Sequence, residues 1–173
     1  MITNEPKKHL QSLSQEELVE EILKFSKKFK DVKAHYEMDL GGNKKQAAIV
    51  EEFKKKIKKQ YFPTRGYGDP KAAEVRKIIS DFKKISVFPY DIADITLYRV
   101  EMAVDFTNAY GDIDERFYDS TANAYEDAFK IITKNDLQKH FIELCTKIKN
   151  DTSDIGWGFA DQIEDLTNEY LEV

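Results

Sequence analysis

Apolar residues recur along this chain in steps of three and four, the period of one helix face, and no stretch holds the strict alternation of a strand. Leu18, Ile22, Phe25, Phe29, Val32 and Tyr36 advance by 4, 3, 4, 3 and 4 as one continuous stripe. Ser14 precedes it with Glu17 three residues on, a capping box, and Leu13 and Leu18 hold the hydrophobic-staple positions. The lysine-rich stretch around Lys30 and Asp31 marks a site for a kink, and Gly41-Gly42-Asn43 stops the helix.

The same pattern predicts a helix from about Lys44 to Tyr61, ended by Pro63, and another after Asp69-Pro70, with Asp at the cap and Pro at the first helical position. Pro89 to Tyr110 is the most apolar helix. Gly111 ends it, and Asp112, with Glu115 in the box position, is the expected cap of the next. Asn135 followed by Gln138 opens a further helix, and a last one follows the polar linker 150–154 with Phe159, Ile163, Leu166 and Tyr170 inward. The expectation is a single all-α domain over residues 1–173: seven or eight antiparallel helices, as a bundle or a short superhelix of hairpins.

Composition adds the setting. With 173 residues, 41% of them hydrophobic, the chain can bury a core without a metal or disulfide staple. Its one cysteine, Cys145, falls among apolar helix positions, as a free thiol in a reducing compartment does. The opening MITNEPKKHL has no apolar core of a signal peptide, and no run approaches the ~20 apolar residues of a membrane helix. The expected location is cytoplasmic, with no membrane contact.

Charge changes the picture more. Residues 1–90 hold 20 Lys and Arg against 13 Asp and Glu, a net of +7; residues 91–173 hold 7 against 19, a net of −12. The basic half peaks on one helix, where Lys55, Lys58 and Lys59 share a side and Lys54 flanks Phe53. A phosphate-tracking face for nucleic acid is one reading. A solvated face whose lysine stems cover apolar surface is the stronger, because the pI of 5.3 is far below that of nucleic-acid modules and arginine is scarce in this half.

The acidic half holds a regular stripe: Asp91, Asp94, Tyr98, Glu101 and Asp105, at steps of 3, 4, 3 and 4 on the most apolar helix. Stacked carboxylates repel one another, so a purely structural helix gains nothing from them. They fit a cation or small-ligand site, or a docking stripe for a basic partner such as this chain's own lysine-rich helix; the plainer reading is a solvent face. Ala93, Leu97, Val100 and Val104 lie on one side, and Ile92, Ile95, Met102 and Phe106 on the other, which marks the helix as central.

No catalytic motif emerges. His9, His35 and His140 lack a carboxylate three residues before them, there is no His-Glu-x-x-His, and His140 and Cys145 point to different faces. The reading therefore assigns no catalytic residue, metal or cofactor and leaves enzymatic activity open. Arg65-Gly66-Tyr67-Gly68-Asp69 leads into a helix N-terminus but lacks the strand and spacing of a phosphate-binding fingerprint, and reads as a connecting loop. Gly156-Trp157-Gly158-Phe159 reads as an aromatic pair docking the last helix on the body.

Several strings occur together in order: Ser14-Gln15-Glu16-Glu17-Leu18, Val32-Lys33 with Tyr36, Tyr61-Phe62-Pro63, Asp94 with Leu97-Tyr98 and Val100-Glu101, Gly111-Asp112-Ile113-Asp114 with Phe117-Tyr118, and Trp157-Gly158-Phe159. The set resembles a family of small bacterial proteins classified only as a domain of unknown function. That resemblance implies a bacterial, cytoplasmic, stand-alone helical domain and supplies no activity. The leading functional expectation is a non-enzymatic interaction or scaffold protein using charged helical faces, its partner a second copy or another protein. The alternatives are a cation or small-ligand protein centred on the acidic stripe and, weaker, nucleic-acid binding through the lysine-rich helix.

Overall fold

A computed structural model describes residues 4–171, and all the regular structure among them is helical. In chain order the helices are α1 (Asn4–Ser12), α2 (Gln15–Lys28), α3 (Lys30–Leu40), α4 (Gly42–Tyr61), α5 (Ala72–Ile85), α6 (Pro89–Tyr110), α7 (Glu115–Lys134), α8 (Gln138–Asp151) and α9 (Phe159–Leu171). Among the described residues nine stand where seven or eight were expected. The additions are α1, which buries no residue and so leaves little trace in the apolar pattern, and a break at Phe29, where extended backbone (φ −115°, ψ 117°) splits the long N-terminal stripe into α2 and α3.

Local chemistry explains most of the boundaries. Ser14 Oγ accepts from the Glu17 amide at 3.2 Å while Glu17 Oε2 accepts from the Ser14 amide at 2.8 Å, closing the expected capping box. Those bonds to Ser14 also hold the Glu17 carboxyl below its ordinary pKa. One residue, Gly41, separates α3 from α4; a Cβ there would run into the Glu37 carbonyl oxygen, so only glycine permits so tight a junction.

Three caps differ from the expectation. Asp69 does not cap α5; its carbonyl accepts from the Lys71 amide, and the helix starts at Ala72 with no side-chain cap. Asp114, not Asp112, caps α7 by accepting from the Phe117 amide at 2.8 Å, while Asp112 accepts from the Tyr118 hydroxyl. Asn135 closes α7 rather than opening α8, its side-chain amide donating to the Ile131 carbonyl. At α7 two aspartates two residues apart offer the same cap, whereas α5 and α8 start after Lys71 and Leu137 with no side-chain cap.

The core forms two clusters with α6 between them. Ala93, Leu97, Val100 and Val104 face α7, α8 and α9, where Tyr125, Phe129, Phe141 and Phe159 are fully buried. Ile95, Met102, Ala103 and Phe106 face the cluster built by Met38 of α3, Phe53, Ile57 and Tyr61 of α4, and Val75, Ile79 and Phe82 of α5. Each such aliphatic or Phe side chain contributes about 1.5–3 kcal/mol by leaving water. With 12 buried residues, α6 is the central helix. The glycine-flanked aromatic pair near the C-terminus divides: Phe159 docks in the core at 1% exposure, but Trp157 points outward at 57%.

Candidate functional site

The acidic stripe of α6 meets cationic and amide donors from within the chain. Lys54 of α4 places Nζ 2.8 Å from Asp94 Oδ2, and the same ammonium lies 5.2 Å from the centre of the Tyr98 ring. Asp91 is almost fully buried and accepts from Gln46 Nε2 at 2.6 Å. Burial raises the Asp91 carboxyl above its ordinary 3.8; the Gln46 bond opposes that shift and the nearby Asp94 charge adds to it. Glu101 pairs with Lys147 of α8 at 3.2 Å, and Asp105 is exposed.

The stripe is therefore spread over two helix neighbours rather than gathered at a point. Asp91 and Asp94 line a shallow cleft of about 440 Å³ together with Gln46 and Lys54. Among the described residues no three His, Cys, Asp or Glu side chains gather as metal ligands, and no helix is long and apolar enough to cross a membrane. On α4, Lys55, Lys58 and Lys59 are exposed, and none makes an ion pair among the described residues. Lys54 points the other way, into the α4–α6 contact.

A different surface departs further from the expectation. The apolar stripe from Leu18 to Tyr36 is not one buried face. Its end in α3, Val32 and Tyr36, is half-buried, with Met38 beyond it at 1% exposure, but α2 buries no residue. Val19, Ile22, Leu23, Phe25 and Phe29 are each between 42% and 53% exposed. Among the described residues the substantial neighbour of α2 is α3. Phe25 and Phe29 lean on one another with ring centres 6.1 Å apart, and Lys28 covers one side of the Phe29 ring.

Polar residues around that face are sorted. Glu16, Glu17, Glu20 and Glu21 occupy the first half of α2, and Lys24, Lys27 and Lys28 the second. Glutamates near the helix start and lysines near its end also complement the helix dipole. The apolar spacing alone signalled the face, but the period is the same whether the covering surface lies inside the chain or outside it.

One family model matches residues 1–171, nearly the whole sequence. The chain belongs to DUF6155, a family of unknown function. No curated protein and no solved structure matches it. The DUF6155 match confirms the likeness carried by the short strings from Ser14 to Phe159, and it assigns no chemistry to the stripe on α6 or the face on α2.

Proposed function

We propose that this protein is a non-enzymatic interaction module whose docking element is α2 and whose partner is a second copy of the same chain. The observation that carries the reading is the exposed face of Ile22, Phe25 and Phe29, with Leu18 half-buried beside it, framed by glutamates at one end and lysines at the other. Such a helix is complementary to itself when reversed. Two copies of α2 laid antiparallel, with Ile22 opposite Phe25 and Leu18 opposite Phe29, bring Glu21 of each copy beside Lys28 of the other. The arrangement is isologous and closes as a two-fold dimer.

The other features fit the same picture. Helix connections of a few residues support antiparallel hairpins, and the sharing of α6 by both clusters supports one domain across the chain. A single buried free thiol supports a reducing, cytoplasmic setting. Lys54 and Glu101, already engaged inside the chain, leave the charged faces of α4 and α6 a smaller part in docking than that of α2.

Sedimentation equilibrium tests the proposal. The wild-type chain is expected to be a dimer at micromolar concentration, and Ile22→Glu and Phe25→Glu to be monomers with unchanged helix content. A wild-type chain that stays monomeric, or variants that still dimerise, would remove it.

A further inference from the structure

Buried Arg99 and exposed Arg76 make no ion pair among the described residues. Arg99 of α6 is 5% exposed; its Nη2 donates to the Ser120 carbonyl at 2.9 Å and to Ser120 Oγ at 2.6 Å, and its Nε is buried with no acceptor. Arg76 of α5 reaches the same Ser120 Oγ with Nη1 at 3.3 Å. Every ion pair among the described residues uses a lysine, and none includes Arg76, Lys83 or Arg99. In a chain whose acids outnumber its bases, a buried guanidinium with no carboxylate in direct contact is an expensive feature to keep.

These cations converge. Arg76, Lys83 and Arg99 line one cavity of about 290 Å³ between α5, α6 and α7, with Ser80, Thr96 and a single carboxylate, Asp127. Three cations against one acid leave the wall with a surplus of two positive charges. Thr96 spends its hydroxyl on the Ile92 carbonyl. Ser120, which does not line the cavity, accepts from both arginines through Oγ and so holds their side chains together at its edge. Guanidinium groups present paired donors to an oxyanion, and two surplus charges match a dianion better than a monoanion. A cavity at the small end of ligand sites admits a compact molecule, not a nucleotide.

We infer that this cavity binds the phosphoryl group of a small molecule, held by Arg76, Lys83 and Arg99. No residue of α2 lines it, so the inference stands apart from dimer formation. Thermal unfolding under inorganic phosphate, with sodium acetate and sodium chloride at matched ionic strength as controls, tests it. Phosphate should raise the midpoint saturably, as a ligand specific to the folded state does. Arg99 is buried, and changing it mixes folding with binding; the exposed Arg76 and Lys83 carry the test instead. Arg76→Gln and Lys83→Gln should each unfold normally without phosphate and weaken its binding about tenfold. No saturable rise, an equal rise with acetate, or unchanged phosphate binding in both variants would overturn the assignment.

Discussion

Lys54 Nζ lies 2.8 Å from Asp94 Oδ2, and with that contact the lysine-rich helix α4 is bound to the acidic helix α6. Both side chains are only about one-fifth exposed, 21% and 19%, so the pair is screened less than a surface bridge and is also less hydrated. Lys54 further rests on the Tyr98 ring. Part of the charge asymmetry between the halves of the chain is thus used to hold the fold.

Removing one partner leaves the other half-buried and alone. Lys54→Met and Asp94→Asn are each expected to lower the unfolding free energy by about 1–2 kcal/mol, between the surface and fully buried cases. In urea denaturation the double variant should cost less than the sum of the two, and strict additivity would show that the bridge contributes nothing.

Asp91 has the opposite sign. Burial raises its carboxyl in the folded chain above 3.8, so the folded state holds the proton more tightly than the unfolded state and the charged form costs stability. That cost is absent well below 3.8 and is fully present once the pH has risen through the raised value. Asp91→Asn, which can still accept from Gln46, should therefore be the more stable chain at neutral pH, with the difference shrinking on acidification. A difference that does not vary with pH would contradict the burial argument.

Cys145 is fully buried, and burial pushes its thiol up to about 12. Only the thiolate reacts with disulfide reagents or alkylating agents. In native protein near neutral pH, labelling of Cys145 should be slow and track global unfolding in denaturant; rapid stoichiometric labelling would show a looser α7–α8 contact than the fold has.

Much of this fold could be read from spacing. Ser14 with Glu17, the limits of α6, and the division of its apolar residues between two sides all followed from period and capping chemistry. The cap of α7 did not, because Asp112 and Asp114 offer the same carboxylate two residues apart and only the packing of Tyr118 separates them. The outward face of α2 was invisible for a deeper reason: Ile22 and Phe25 carry the same period as Phe53 and Ile57, and only tertiary placement shows that they stay exposed among the described residues. Arg99 and Arg76 meet across 23 residues of sequence at a serine on a third helix, a convergence that periodicity does not encode.

A contrast in stability separates the core from the exposed face of α2. Phe106 is 2% exposed and sits among Tyr61, Phe62, Tyr67, Tyr110 and Phe117. Phe106→Ala should cost about 3–5 kcal/mol. Ile22→Ala, on the exposed face of α2, should change the stability of the monomer by about 0.5 kcal/mol or less. A comparable loss for both in chemical denaturation at dilute, monomeric concentration would mean that α2 is held in the core.

The central claim is that α2 pairs antiparallel with a second α2, and a charge exchange measured by sedimentation equilibrium tests it most directly. Glu21→Lys alone and Lys28→Glu alone each place like charges across the seam and should weaken the dimer. Both changes in one chain restore opposite charges at the same contact, and the dimer should return to near wild-type strength. A double variant no tighter than the weaker single, or a dimer that ignores all three changes, would contradict the antiparallel pairing.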